Sequence, residues 1–286
     1  MDKTNYQKQN KDNSGSDKLK VLKQILKDHI EYRKQIFKLA KADLAKTYRG
    51  SALGWSWAII KPVVTIFVYW FAFSIGLRAG GEVNGYPFFL WLIAGLVPWF
   101  YMGDMITAGT NCIRKYSYLV TKMKFPVSTI PTFVSISNMI VSILLLIIVI
   151  VIFCLFGHAP DIYMLQLPFY LLLSFIFFTL WALFSSFIGA ISKDFVNLVK
   201  SFLTAIFWLS GILWNADSVV NPLIRKFLNL NPITFLVNGF RNCFINKIWF
   251  WEQPKRLLYF GIITVMLLIA GLWSYRKLRK DIADVL

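Results

Sequence analysis

The residues able to do acid–base, nucleophilic or metal chemistry in this chain are few and far apart. Its two histidines are His29 and His158, and its three cysteines are Cys112, Cys154 and Cys243. No HExxH, GxSxG or paired Cys/His spacing joins any of them, so neither a zinc site nor a nucleophile with its base is expected. No GxxxxGK[ST] phosphate loop occurs either, so ATP and its magnesium would have to be held by another chain. One carboxylate, Asp104, stands inside a long apolar stretch, and Lys61 stands at the start of another. A carboxylate at membrane depth costs several kcal/mol unless it faces protein or water. Two roles are open to Asp104: a structural hydrogen bond near a helix end, or a place on a transport pathway.

Aromatic side chains are the larger resource, at 17% of the chain. Phe67, Trp70, Phe71, Trp99, Tyr101, Phe207 and Trp208 all fall within apolar stretches. Near the end of a membrane span such rings form an interfacial belt. Deeper in, they would line a translocation pathway, because an aromatic face offers a sliding sugar ring a broad amphipathic surface.

Composition says what must position these groups. The 286 residues are 57% apolar and 16% charged, with a mean hydropathy of +0.57. Soluble proteins run at about 45–50% apolar and about 25% charged, so an ordinary soluble enzyme is excluded. The net charge is +17. In a soluble protein that excess suggests nucleic acid; in a hydrophobic one it reports orientation in a membrane and contact with anionic lipid, and no nucleic-acid partner is expected.

Six stretches are long enough to cross about 30 Å of hydrocarbon: 57–77, 88–110, 132–156, 167–191, 198–214 and 257–275. With the amino terminus in the cytoplasm, 24 of the 31 Lys and Arg fall on that side and 7 outside. Short loops kept in the cytoplasm retain such residues, so both termini are expected inside. Cys112 is then expected to react with thiol reagents from the cytoplasm, Cys154 to react poorly, and Cys243 to lie on the outer side. Residues 1–18 read as a disordered cytoplasmic tail, 19–54 as an amphipathic interfacial segment, 55–275 as an all-α six-span membrane domain, and 276–286 as a cytoplasmic tail.

Two segments carry more than topology. In 19–48, Leu22, Ile25, Leu26, Ile30, Ile36, Phe37, Ala40 and Leu44 recur at steps of three and four among lysines. One or two amphipathic helices follow, lying at the membrane surface or packed on protein. Within 215–256, PLIRKFLNL and PITFLVNGF each follow an Asn-Pro pair. Proline suits a first helical turn, so two short re-entrant helices are expected between spans five and six.

Four motifs occur in order along this topology: YRGSALGWSWAIIKP leading into the first span, NCIRKYSYLVTKMKFPVSTIP after the second, SKDFVNLV after the fourth, and NPITFLVNGFR before the sixth. Together they resemble the ABC-2 type permeases that export polysaccharides, over residues 19–280. SGILWNADSV departs from the Pro-Ile stretch ending in Tyr that many relatives carry there. The resemblance implies a bacterial inner-membrane homodimer bound to two copies of a separate ABC ATPase. It would move a glycan or polyol-phosphate polymer on a polyprenyl diphosphate lipid outward, as wall teichoic acid and O-antigen exporters do. Arg114, Tyr116, Leu119, Lys122, Phe125 and Pro126, with Lys193 and Asp194, would couple to the ATPase, Tyr116, Leu119 and Phe125 serving as docking anchors. That basic segment has the alternative of holding only anionic headgroups. Arg33, Lys38, Lys46, Arg49 and Lys61 would capture the lipid diphosphate, and Asn231, Pro232 and Arg241 would form an external gate. A lipid flippase, a membrane-embedded transferase, and a channel or secondary transporter remain as other readings.

Overall fold

The structure, a computed structural model, describes residues 19–50, 52–78, 80–123 and 125–285, so the tail at 1–18 lies outside the described residues. Among them the backbone is almost wholly helical, with a single isolated strand pairing between Val83 and Tyr86. That pairing closes over Asn84 and Gly85, both at positive φ, as an Asn-Gly hairpin turn requires.

Helix α1 (19–31) and α2 (Arg33–Tyr48) are one amphipathic segment with a break at Tyr32. Ile25, Ile36, Ala40 and Leu44 turn inward, whereas Leu26, Ile30 and Phe37 stay exposed. The inward face packs on the bundle, chiefly on α6 (Ile130–Leu155). The side chains of Asp28 and His29 fasten it there, through Ser128 (3.2 Å) and Thr132 (2.7 Å) respectively.

The bundle is built around α4 (Phe88–Lys115), which is flanked by α6 and α7 (Leu167–Ile191). Its most apolar window is 83% buried, against 11% for the segment holding α3 (Trp57–Trp70) and its π-helical extension Phe71–Gly76. α4 is therefore the core helix and α3 a peripheral one. Among the described residues, five segments are long and apolar enough to cross a membrane, those of α3, α4, α6, α7 and α11 (Pro254–Val285). Within the segment expected as a cytoplasmic tail, α11 continues as helix to Val285.

The stretch expected at 198–214 is α8, which runs Lys193–Leu209. Ser192 accepts a hydrogen bond from the Phe195 N–H, and Asp194 stands in the first turn, so capping and the dipole start the helix before its apolar part begins. Gly211 at φ +62 follows its end, which only glycine tolerates well. Seventeen residues reach about 25 Å at 1.5 Å each, slightly short of the hydrocarbon.

Past that turn, α9 (Pro222–Asn229) and α10 (Pro232–Arg241) each begin with proline after an Asn N-cap. Asn221 accepts from Leu223 N–H, and Asn231 from Ile233 N–H, both at 2.9 Å.

Cys112 is fully buried within α4, which overturns the expectation that it reports on topology. An exposed position nearby serves instead. Thr121→Cys, on α5 (Ser117–Thr121), is expected to label with an impermeant maleimide in inside-out vesicles and not in intact cells; the reverse pattern would invert the assigned orientation.

Candidate functional site

The basic end of the bundle is assembled around two polar links. Gly189 and Ala190 carbonyls, at the end of α7, accept from Arg114 Nε (3.2 Å) and Nη2 (2.7 Å). A helix leaves its last carbonyls unpaired at the negative end of its dipole, so a guanidinium is suited to the place. Arg114 thereby ties the junction of α4 and α5 to the turn bearing the exposed Lys193 and Asp194.

The second link is Asp43, buried on α2, which accepts from the Tyr116 phenol and from Lys115 Nζ (2.9 Å). Burial, and then the bond to Asp43, push the Tyr116 phenol well above its ordinary range, so it remains a donor at physiological pH. Tyr116 also packs edge-on against Phe133. Helix α2 and the α4–α5 segment are thus one mechanical unit.

This geometry corrects the expected docking anchors. Tyr116 and Leu119 are buried in the core, and Phe125 is half-buried against Tyr32 with ring centroids 5.5 Å apart. Pro126 turns the chain into α6, its carbonyl accepting from Thr129. A helix with one apolar face turns it to its own chain first, which leaves Tyr118, Lys122 and Met123 outside. Tyr118→Ala with Met123→Ala is expected to weaken ATPase association and stimulated turnover about tenfold or more with an unchanged thermal midpoint. Leu119→Ala is expected to cost about 2–5 kcal/mol of stability. Equal loss of stability in both would refute the division.

Within the bundle, Trp99, Phe207 and Trp208 come together with Tyr69. Phe207 lies 5.4 Å from both Tyr69 and Trp99 and 5.9 Å from Trp208, between ring centroids. They line a cleft of about 190 Å³ between α3, α4 and α8, with Thr65 and Thr204 as its hydroxyls. Phe67 and Trp70 line other cavities along α3, and Phe71 is exposed. Tyr101 is set apart, buried against Phe178 with its hydroxyl on Ser135 (2.8 Å), and in this chain it is a packing residue.

Arg33, Lys38, Lys46 and Arg49 are all exposed on or just after α2. Lys61 is separate from them, sharing a cavity with Asp104, Asn138 and the Asp43–Lys115 pair.

At the far end, Asn231 and Arg241 close on the same turn. Asn231 Nδ2 donates to Ser210 Oγ (2.8 Å), and Arg241 donates to the carbonyls of Gly211 (2.8 Å) and Ile212. Pro232 sets the first turn of α10 between them. The guanidinium is fully buried over the Trp91 ring, 3.5 Å from its centroid, where cation–π attraction is strongest because water is excluded. Lys247 is ion-paired to Asp161 and Arg256 to Asp217. Three of the six basic residues in 215–256 are therefore stacked or neutralised within the protein.

Sequence reasoning missed Asp43, Asn138 and Ser210. Asp43 was detectable: it falls on the stripe of Ile36, Ala40 and Leu44, where an acid facing the core must find a donor. The others had no local signal, since their partners are remote in sequence.

The ABC-2 type transporter family matches residues 34–245. The chain is similar to the O-antigen export system permease protein RfbA of Myxococcus xanthus, 24% identical over 91% of this chain and 98% of that protein. It is similar to the protein of the same name from Klebsiella pneumoniae, 26% identical over 87% and 93%. The inner membrane transport permease YadH of Escherichia coli K12 is 24% identical over 77% of this chain and 87% of its own length. With its apolar helices packed on a buried α4, its basic end tied together by Arg114 and Asp43, and this match over most of its length, the chain belongs to the ABC-2 type transporter family as a multi-pass inner-membrane permease.

Proposed function

We propose that this chain is the transmembrane subunit of an ATP-driven exporter that carries a polysaccharide on a polyprenyl diphosphate lipid from the cytoplasm to the outer face. Two copies of the chain and two of a separate ABC ATPase make the working unit, with α8 completing six crossings, both termini inside, and α9 and α10 re-entrant from outside. The observation that carries the reading is the aromatic cleft of Trp99, Phe207, Trp208 and Tyr69, in a chain whose relatives are named for O-antigen export. The exposed Arg33, Lys38, Lys46 and Arg49 supply the cytoplasmic charge that draws in a diphosphate, Arg by paired hydrogen bonds to its oxygens. The sequence has no GxxxxGK[ST] phosphate loop, so this reading leaves ATP to the partner chain.

Deleting the gene in its own host tests this. The expected result is loss of a surface polymer together with accumulation of lipid-linked polymer in the cytoplasmic leaflet, reversed by the intact chain and not by Trp99→Ala with Phe207→Ala. Accumulation of a single-sugar or unglycosylated lipid would assign the chain to lipid flipping instead. No accumulated intermediate would sink the export reading.

A further inference from the structure

Helix α3 stands away from α4 and α6, and the space between them is one groove with three parts. At the basic end is a cavity of about 510 Å³ holding Asp43, Lys61, Asp104, Lys115 and Asn138. Beyond it runs a slot of about 260 Å³ whose lining is wholly apolar, including Ile66, Val97, Ile148 and Ile152. Farther on, the groove opens again into about 590 Å³ beside Phe156. Pro62 and Leu145 line both the first and the second part, and Phe67, Trp70 and Phe89 both the second and the third. The groove is thus continuous, with charged side chains of both signs at its basic end, an apolar slot in the middle and Glu82 at the rim of its far part. It is distinct from the aromatic cleft, which lies against Thr65 and Tyr69 of α3.

The charges at its basic end do not balance pairwise. Lys115 is taken by Asp43 at 2.9 Å. Lys61 and Asp104 remain, within electrostatic reach of each other but joined by no salt bridge. Among the described residues the Asp104 carboxylate accepts no hydrogen bond. Asn138 spends its amide N–H on Val134 (2.9 Å), so its carbonyl oxygen is left as an acceptor. One cation and one anion facing a shared space call for a headgroup that carries both signs. Asp104 is exposed within a segment long and apolar enough to span a membrane, where a bare carboxylate is costly, so the occupant must bring a cationic donor to it.

We propose that this groove binds one zwitterionic aminophospholipid of the surrounding bilayer, of the phosphatidylethanolamine kind, with its phosphate at Lys61, its ammonium at Asp104 and Asn138, and one acyl chain in the slot. Charge complementarity chooses this occupant over two others. An anionic headgroup would leave Asp104 facing negative charge, and a lipid diphosphate would set at least two negative charges against one free ammonium and a carboxylate. Length agrees. From Pro62 to Trp70 the slot follows α3 for about 12 Å at 1.5 Å per residue, close to half of a hydrocarbon core of about 30 Å, which is one leaflet. The bound lipid wedges α3 from the rest of the bundle, so the position of α3 depends on bilayer composition.

The test is native mass spectrometry of the full-length chain, stripped of lipid in detergent and then offered phosphatidylethanolamine and phosphatidylglycerol of identical acyl chains in equal amounts. One phosphatidylethanolamine per chain is expected to be retained in preference to phosphatidylglycerol. Asp104→Asn should reduce that preference about tenfold, the loss of one charged hydrogen bond, and Lys61→Gln should reduce the retention of both lipids about tenfold, since both carry the phosphate. Ile148→Trp, which fills the slot, should displace both lipids. Lys61 is exposed, so its variant keeps the test intact if Asp104→Asn folds poorly. Equal retention of the two lipids by the unaltered chain would overturn the proposal, as would a preference indifferent to Asp104→Asn or a retention indifferent to Lys61→Gln. Displacement of phosphatidylethanolamine by equimolar polyprenyl diphosphate would also overturn it, assigning the groove to the transported lipid.

Discussion

Arg241→Met is expected to lower the thermal midpoint of the purified protein by many degrees and to open the segment after α8 to protease between Ile212 and Asn231. The guanidinium supplies two charged hydrogen bonds, to Gly211 and Ile212, in a fully buried site. Each such bond contributes about 1.5–3 kcal/mol, and its loss strands a buried carbonyl. Arg241→Lys is expected to fail nearly as badly, because an ammonium cannot both lie flat on Trp91 and donate in a planar fork. Gly95 provides a second approach to the same clamp. A Cβ there would sit 2.5 Å from Arg241 Nη2, so Gly95→Ala should displace the guanidinium and reproduce part of the defect. The double variant Gly95→Ala with Arg241→Met should then be less destabilised than the sum of the two single changes, since the clash has gone. Additive effects, or a stable Arg241→Lys, would show that the clamp does not hold the segment after α8.

Gly189→Ala is expected to uncouple the basic end from the membrane bundle. The added Cβ would lie 2.4 Å from the backbone oxygen of Thr110, an atom that α4 cannot move without shifting the whole helix. The seam between α4 and α7 is close throughout. Gly109 meets Ala182 with 2.9 Å available to a Cβ, and Thr110 Oγ1 donates to Ser185 Oγ at 2.9 Å. Small residues let membrane helices approach this far, and the packing so gained stands in for a hydrophobic driving force that lipid does not provide. Forcing the seam apart costs about 1–3 kcal/mol or more and pulls the Gly189 and Ala190 carbonyls off Arg114. ATPase turnover stimulated by the permease should therefore fall well beyond what the loss of stability explains. Gly261→Ala, where a new Cβ meets nothing within 4 Å, is the matched control and should change neither quantity. Unimpaired stimulation in Gly189→Ala would show that α7 does not carry the link.

Local sequence settled the helices and much of their ends. The apolar stretch 167–191 is α7 to the residue, and both Asn-Pro pairs are N-caps with proline in the first turn, because these signals are complete within four residues. The seam of α4 and α7, the depth of Arg241 and the inward turn of Tyr116 and Leu119 were not legible. In a membrane helix the lipid-facing and protein-facing sides are equally apolar, so hydrophobic spacing does not say which face is buried. Asp43 is the instructive intermediate case: its place on the apolar stripe of α2 marked it as buried, but only the tertiary structure supplied Lys115 and Tyr116 as partners, more than 70 positions away. The sequence by itself thus determined what the chain is made of, a basic amphipathic segment, long apolar helices and two capped short ones. The packing decided which of its charged and aromatic residues hold the bundle together and which still face something outside it, since that choice depends on partners that meet only when distant helices close on one another.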